Sequence, residues 1–284
     1  MPRPRAKRAA TVRVSVPHQS DCVRVTASLR PNGYEIRHAD LPGERGGSGI
    51  RRRWGMWLMM GLFLWGAARI ALFYRSYWGT IHHLPAIVDA SVRSHRGTLI
   101  RLRDVSPWVP RALIATEDRS FYSNIGVSFE GVGRSLYVDL SSGRFVEGGS
   151  TLTQQLVRDE ILGPEKTLRR KLSEALLSVA VTALYSKRQI LRWYLDEVYL
   201  GNGYWGVYRA SEGYFGKSPA HLSLPQAALL AGLPQDPSAL DPLVHLRAAR
   251  RREWEVLLSM VEDNVLSLGA ARRVYRMPLD LVPR

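Results

Sequence analysis

The chain has 284 residues, 45% of them hydrophobic, enough for one domain of ordinary size with appendages. Its formal net charge is +15, and only five of the 40 basic residues are Lys, leaving 35 Arg. Arginine suits bidentate contact with phosphate or carboxylate, although an arginine-rich codon usage explains the same ratio. The single cysteine, Cys22, excludes an intrachain disulfide and a cysteine-built zinc site. His82 and His83 are adjacent and cannot share a helix face, so no metal site is expected.

In chain order, residues 1–50 come first, rich in Arg, Pro and Gly. Residues 1–53 hold twelve Lys or Arg against four Asp or Glu. VRVSV and CVRVTASL alternate weakly, as strands do, but nothing nearby offers them a core. The segment is expected to be mostly disordered. Met56 lies inside the next element, so a start codon assigned too early is an alternative.

Residues 51–76 are expected to form a transmembrane anchor. Trp54 to Tyr74 is apolar except for Arg69, and about 20 residues span a bilayer as a helix. Arg69 can snorkel to the interface, and Trp54, Trp57, Tyr74, Tyr77 and Trp78 read as interfacial aromatics. The Arg51-Arg52-Arg53 triplet favours a cytoplasmic N-terminus, with everything after residue 78 outside the cytoplasm. A cleaved signal peptide and a buried core helix are the alternatives; no small-residue cleavage site supports the first.

Residues 77–104 read as a connector, in which SVRSHRGTLIRL could make a small hairpin turning at Arg96-Gly97. Helices dominate from Ser106. Ser106-Pro107 should cap one running to about Thr116, and Ser128 another ending near Gly143. A third opens at Ser150 or Thr151 and stops near Gly163-Pro164. The long helix from Thr167 to Tyr185 is expected to turn Leu168, Leu172, Ala175, Leu176, Val179 and Ala183 to one face. Ser186 starts a further helix, GVYRASEGYFGK and SLPQAALLAGL add two shorter ones, and Arg247 to Leu266 a charged terminal one. The domain is drawn at 105–245, with 246–284 a helical extension.

Three strings could carry chemistry. In ATEDRSFYSNIGVSF, Glu117 follows an apolar helical turn, where partial burial would raise its pKa toward a useful base range. Spacing alone favours a solvated helix-end Glu paired with Arg119. In RRKLSEALLSVAV, Glu174 sits mid-helix near Arg170 and Lys171, and a surface ion pair is again the simpler reading. Two carboxylates on separate helices are nevertheless what inversion at a sugar carbon needs. In GGSTLTQQL, hydroxyls and amides crowd a helix start, more than capping requires. With Arg158 and Lys166 they make a plausible pocket for a polyanion such as a diphosphate.

These strings, with YSKRQILRWYLDEVYLG and GVYRASEGYFGK, resemble in order five motifs of the peptidoglycan glycosyltransferases, and the resemblance runs from about residue 80 to 245, including QAALLAGLPQDPSALDP. The closest type is the monofunctional biosynthetic transglycosylase. The resemblance implies a mostly α, lysozyme-like α+β domain outside the cytoplasm behind a single N-terminal transmembrane helix. It implies polymerisation of lipid II into glycan strands: Glu117 as the base that activates the acceptor GlcNAc 4-hydroxyl, Glu174 orienting the site or the leaving pyrophosphate. A divalent cation, Mg or Mn, would be compatible with that second role and is the one cofactor the resemblance leaves open. By position, Asp118, Arg119, Phe121 and Asn124 would bind substrate in the first motif, and Gly149, Ser150, Thr151, Gln154, Gln155 and Arg158 in the second. Lys166, Arg170 and Lys171 complete the set.

Expected partners are lipid II, the nascent glycan strand and membrane lipid, with transpeptidases and proteins of the divisome or elongasome; nucleic acid is not expected. The chain departs from the family pattern at Asn124 (usually His), Ser128 (often Asp), Asp159 and Asp196 (usually Asn), and Gln189 and Arg192 (usually Glu). No penicillin-binding Ser-x-x-Lys set appears, so transpeptidation is not expected. The alternatives are a lysozyme-like muralytic hydrolase and a degenerate regulatory member. A basic protein binding nucleic acid or anionic lipid is a further reading, which the concentration of charge before the anchor disfavours.

Overall fold

The computed structural model describes residues 25–30, 33–38, 48–131, 133 and 149–283. The chain forms two compact units, Met1–Ala71 and Leu72–Arg284.

In the first unit, β1 (Val25–Arg30) pairs antiparallel with β2 (Gly33–His38), Val25 opposite His38 and Arg30 opposite Gly33. This corrects the expectation of disorder for that stretch. Within CVRVTASL, the described Val25–Leu29 pairs with residues of GYEIRH. VRVSV lies outside the described residues. Helix α1 (Ser48–His82) follows. Its Trp54–His82 stretch is long and apolar enough to cross a membrane, about 43 Å at 1.5 Å per residue against a hydrocarbon core of ~30 Å. None of its most apolar window is buried, which removes the alternative of a core helix.

From Leu72 the helix belongs to the second unit. Ile81 is buried, Phe73 and Tyr77 pack on the core, and the Tyr74 hydroxyl donates to the Leu176 carbonyl at 3.0 Å. Helix α2 (Leu84–Ser94) occupies the expected connector, with Leu84, Val88 and Val92 buried. Their spacing of four is helical, so no hairpin turns at Arg96-Gly97. Instead Arg96 takes φ +56° just past the helix end.

Helix α3 (Trp108–Glu117) buries Val109, Ala112 and Leu113, and ends at Asp118. The segment that Ser128 opens is described only to 131 and at 133; Ser128 Oγ accepts from the Gly131 N–H at 3.0 Å, and the expected end near Gly143 lies outside the described residues. Helix α4 (Leu152–Val157) runs into a π-turn, Arg158–Leu162, stopped by Gly163 at φ +82°. Helices α5 (Leu168–Leu184), α6 (Lys187–Glu197), α7 (Gly206–Phe215), α8 (Leu224–Gly232), α9 (Leu246–Glu262) and α10 (Leu268–Tyr275) complete the unit. Helix α9 packs on α3 and α8, with Val256, Leu257 and Met260 fully buried, so residues 246–262 share one core with the helices around Glu117.

Helix α5 is turned opposite to expectation. It buries Glu174, Leu177, Ser178 and Val181, while Leu168 and Leu172 are 88% and 64% exposed. Tyr122, Ile125 and Phe129 are exposed as well. Periodicity located two faces on α5 and chose the more apolar one; the packed interior instead took the face carrying the carboxylate.

Candidate active site

Glu117 ends α3 at the rim of a small cleft of about 50 Å³, lined among others by Arg119, Ser120, Ser128, Gly149, Ser150 and Thr151. Its side chain is 16% exposed. Gln155 Nε2 donates to one carboxylate oxygen at 2.8 Å, and the buried Tyr194 fixes the Gln155 amide by donating to its oxygen at 3.0 Å. The other oxygen faces the Arg252 guanidinium at 3.7 Å. Burial pushes the Glu117 carboxyl above its ordinary range, opposed by the Gln155 hydrogen bond and by the charges of Arg252 and Arg158. The solvated pair with Arg119 does not form: Arg119 donates instead to Glu262 and to the Ala115 carbonyl.

Arg252 was not singled out by sequence reasoning. It sits on α9 within RRREWEVLLSM, a run that reads as an ordinary charged helix face. Nε donates to the Gly232 carbonyl at 3.3 Å and Nη1 to Glu255 at 2.9 Å. A Cβ on Gly232 would stand 2.7 Å from Arg252 Cγ, so the glycine is the signal that a long side chain crosses there.

Glu174 is buried, and Arg170 and Lys171 each hold one of its oxygens. Lys171 also donates to Ser150 Oγ on the cleft wall. The expected surface ion pair is thus a triad around a buried carboxylate, reaching the cleft through the half-exposed Lys171 and Ser150. Arg158 is electrostatically coupled to both Glu117 and Glu174. Its guanidinium is clasped by Asp159 at 2.7 and 3.0 Å, which gives the Asp in place of Asn a visible effect. Lys166 is exposed on the loop before α5.

Several expected substrate contacts have partners within the protein. Thr151 and Gln154 form a capping box at the start of α4, and Thr151 Oγ1 also donates to the Gly126 carbonyl at 2.7 Å. Asp118, buried, accepts from the Leu152 N–H at 3.1 Å, from Asn124 Nδ2 at 2.8 Å and from Ser120; burial raises its pKa. Phe121 is fully buried beneath Lys187, whose ammonium lies 4.9 Å from the ring centroid. Phe121 is enclosed by this packing, whereas Asp118 and Thr151 also line the cleft. Asn124 is the hub of that loop: its oxygen accepts from the Gly126 N–H at 2.9 Å and from Lys187 at 2.8 Å. An amide can donate to Asp118 and accept from Lys187 at once, so Asn serves here without a titratable ring.

Two of the departures on α6 face each other. Arg192 lies 3.7 Å from Asp196 one turn on, and the Ile100 N–H donates to Asp196 at 2.9 Å.

Residues 86–261 match the family model described as Transglycosylase. Over 173 residues the chain is 40% identical to penicillin-binding protein 1A of Aquifex aeolicus (strain VF5), covering 61% of this chain and 24% of that protein. It is 42% identical over 174 residues to penicillin-binding protein 1B of Vibrio cholerae serotype O1, covering 60% and 22%. With penicillin-binding protein 1A of Escherichia coli (strain K12) it shares 40% over 168 residues, covering 59% and 20%. The chain thus spans a quarter or less of the length of these relatives. With the family model matched across α2 to α9, the chain belongs to the transglycosylase family, the peptidoglycan glycosyltransferases.

Proposed function

We propose that this chain polymerises lipid II into glycan strands by inverting transfer. The observation that carries this reading is Glu117: a carboxylate held at a cleft by Gln155 and Arg252, its pKa raised by burial, as a general base requires. Glu117 would take the proton of the acceptor GlcNAc 4-hydroxyl. That oxygen bonds to the donor anomeric carbon from the face opposite the pyrophosphate, whose C–O bond breaks. The departing charge would be met by Arg158 and Lys171. Glu174 holds Lys171 in place beside Ser150. Both Glu174 oxygens already face cations, and no group of three His, Cys, Asp or Glu suited to a metal occurs among the described residues. The residues present therefore do not fit a divalent ion there.

The fold is read as lysozyme-like. Helix α1 would anchor the chain in the cytoplasmic membrane, with the basic N-terminus inside and the Leu72–Arg284 unit on the outer face. Exposed Leu168, Leu172 and Phe129 suit an apolar approach to a lipid-linked donor. The product strands would be handed to transpeptidases.

Purified protein given labelled lipid II should yield moenomycin-sensitive polymer, and Glu117→Gln should lower the rate by at least about 100-fold, the scale of a lost general base. Equal polymer from both proteins would remove Glu117 from the role. Release of soluble fragments from finished cell wall, with no polymer from lipid II, would favour the hydrolase.

A further inference from the structure

Away from the cleft, α9 and α10 enclose a groove of about 460 Å³ lined by Arg251, Trp254, Glu255, Arg272, Tyr275 and Arg276. Its floor is already assembled. Trp254 and Tyr275 sit 5.2 Å apart between ring centroids, and Arg250 stacks on Tyr275 at 4.4 Å while donating to its carbonyl and to Glu253. Its walls are different. Arg251, Arg272 and Arg276 are exposed, and none of them pairs with a carboxylate among the described residues. Three uncompensated guanidinium groups around a fixed aromatic floor suit an anionic partner, and Arg, Trp and Tyr are the residue types that dominate binding hot spots.

We propose that this groove is the docking site for an acidic peptide segment of a partner protein. The fourth wall residue decides between a peptide and a lipid surface. Glu255 is 59% exposed on its side chain and engages Arg252 through one oxygen, leaving acceptor capacity toward the groove. A peptide supplies both carboxylates for the arginines and backbone N–H donors for Glu255. A phosphate group itself supplies no donor and meets Glu255 with like charge. The most exposed apolar side chains beyond α1, Leu168 at 88% and Phe129 at 76%, lie on other segments, while Leu268 and Met277 beside the groove are 42% and 50% exposed. The groove lies outside the Glu117 cleft, so it stands whether or not the proposed reaction does.

The test uses the full chain in detergent micelles and a short fluorescent peptide of Asp and Glu around one Leu, followed by anisotropy at near-physiological salt. Arg272→Glu/Arg276→Glu should weaken binding at least about tenfold, and Arg272→Ala/Arg276→Ala should do so in the same direction with an unchanged melting curve. A matched reversal elsewhere, Arg103→Glu/Arg209→Glu, should leave binding within about twofold. Equal loss from the groove and control reversals would show a general charge effect and overturn the proposal. So would a groove reversal that leaves peptide binding intact. Inorganic phosphate or phosphatidylglycerol vesicles that displace the peptide from wild type at equal charge concentration would also overturn it, assigning the groove to phosphate.

Discussion

At Glu117 two influences oppose each other: burial favours the neutral acid, while Gln155, Arg252 and Arg158 favour the carboxylate. The cations keep a half-enclosed group able to ionise, and the amide fixes which oxygen is free to take a proton. Arg252 is therefore the residue whose loss should be most informative. Arg252→Ala should move the acid limb of the polymerisation profile to higher pH, because the base must be ionised to act. The rate at neutral pH should fall roughly tenfold, within the range a positioned base commands. Arg252→Lys should restore much of the limb's position, since charge rather than fork geometry is what acts across 3.7 Å. A rate pH profile for both variants checks this; an unmoved limb in Arg252→Ala would leave the arginine only a packing role. Asp118 and Phe121 show the converse. Motif position marks both for substrate, and the packing holds Asp118 as a hydrogen-bond clamp at the cleft and Phe121 in the core.

Among the elements, the start of α4 and the loop before it are built as one piece. Thr151 accepts from the Gln154 N–H at 3.1 Å while donating to the Gly126 carbonyl. Gly126 itself has φ +100°, and a Cβ there would fall 2.2 Å from the Ser178 carbonyl, so only glycine lets the loop lie against α5. Thr151→Ala removes the cap and leaves the Gly126 carbonyl without that donor. It should cost about 1–2 kcal/mol, read from urea unfolding midpoints, with Thr151→Ser recovering most of it. The π-turn at Arg158–Leu162 changes the direction in which α4 presents its last residues. It puts Glu160 beside Ser91 and brings it within electrostatic reach of Glu197.

Over the whole molecule, that buried acid group makes stability depend on pH. Burial raises Glu160 to about 7, Asp196 to about 7 and Glu197 to about 8, with Glu160 and Asp196 adding like charge against Glu197. Facing them are Ser91, the Ile100 N–H, Arg192, Asp89, Asp159 and His95, which is stacked on Trp205 and whose own pKa burial lowers. A carboxyl with a raised folded pKa contributes stability fully present below its unfolded value and lost as pH rises through the folded one. Melting temperature should therefore fall as pH climbs from the ordinary carboxylate range to about 8. Glu160→Gln should flatten that decline, and an identical slope in the variant would place its cause elsewhere. The unit boundary gives a second test. A chain beginning at Leu72 keeps the packing of Phe73 and Tyr77 and the Tyr74 hydrogen bond; one beginning at Gly79 loses all three. The shorter chain should melt several degrees lower, about 2–4 °C per kcal/mol lost at this size. Equal melting temperatures would show those turns to be dispensable.

What the residues settled alone was local or compositional. A long apolar run before a helical domain, the caps at Thr151, Thr167 and Ser186, and five ordered motifs with Glu117 and Glu174 in place were all legible, because each depends on neighbours within a few positions. Tertiary packing decided the rest. It chose which face of α5 turned inward, turned a supposed hairpin into α2, and gave Thr151, Gln154, Asp118 and Phe121 to the scaffold. It also brought Arg252 to Glu117 from 135 positions away. Periodicity sees how side chains repeat along one helix, but a buried charge is stabilised only by the partners that other helices bring, and those contacts have no period.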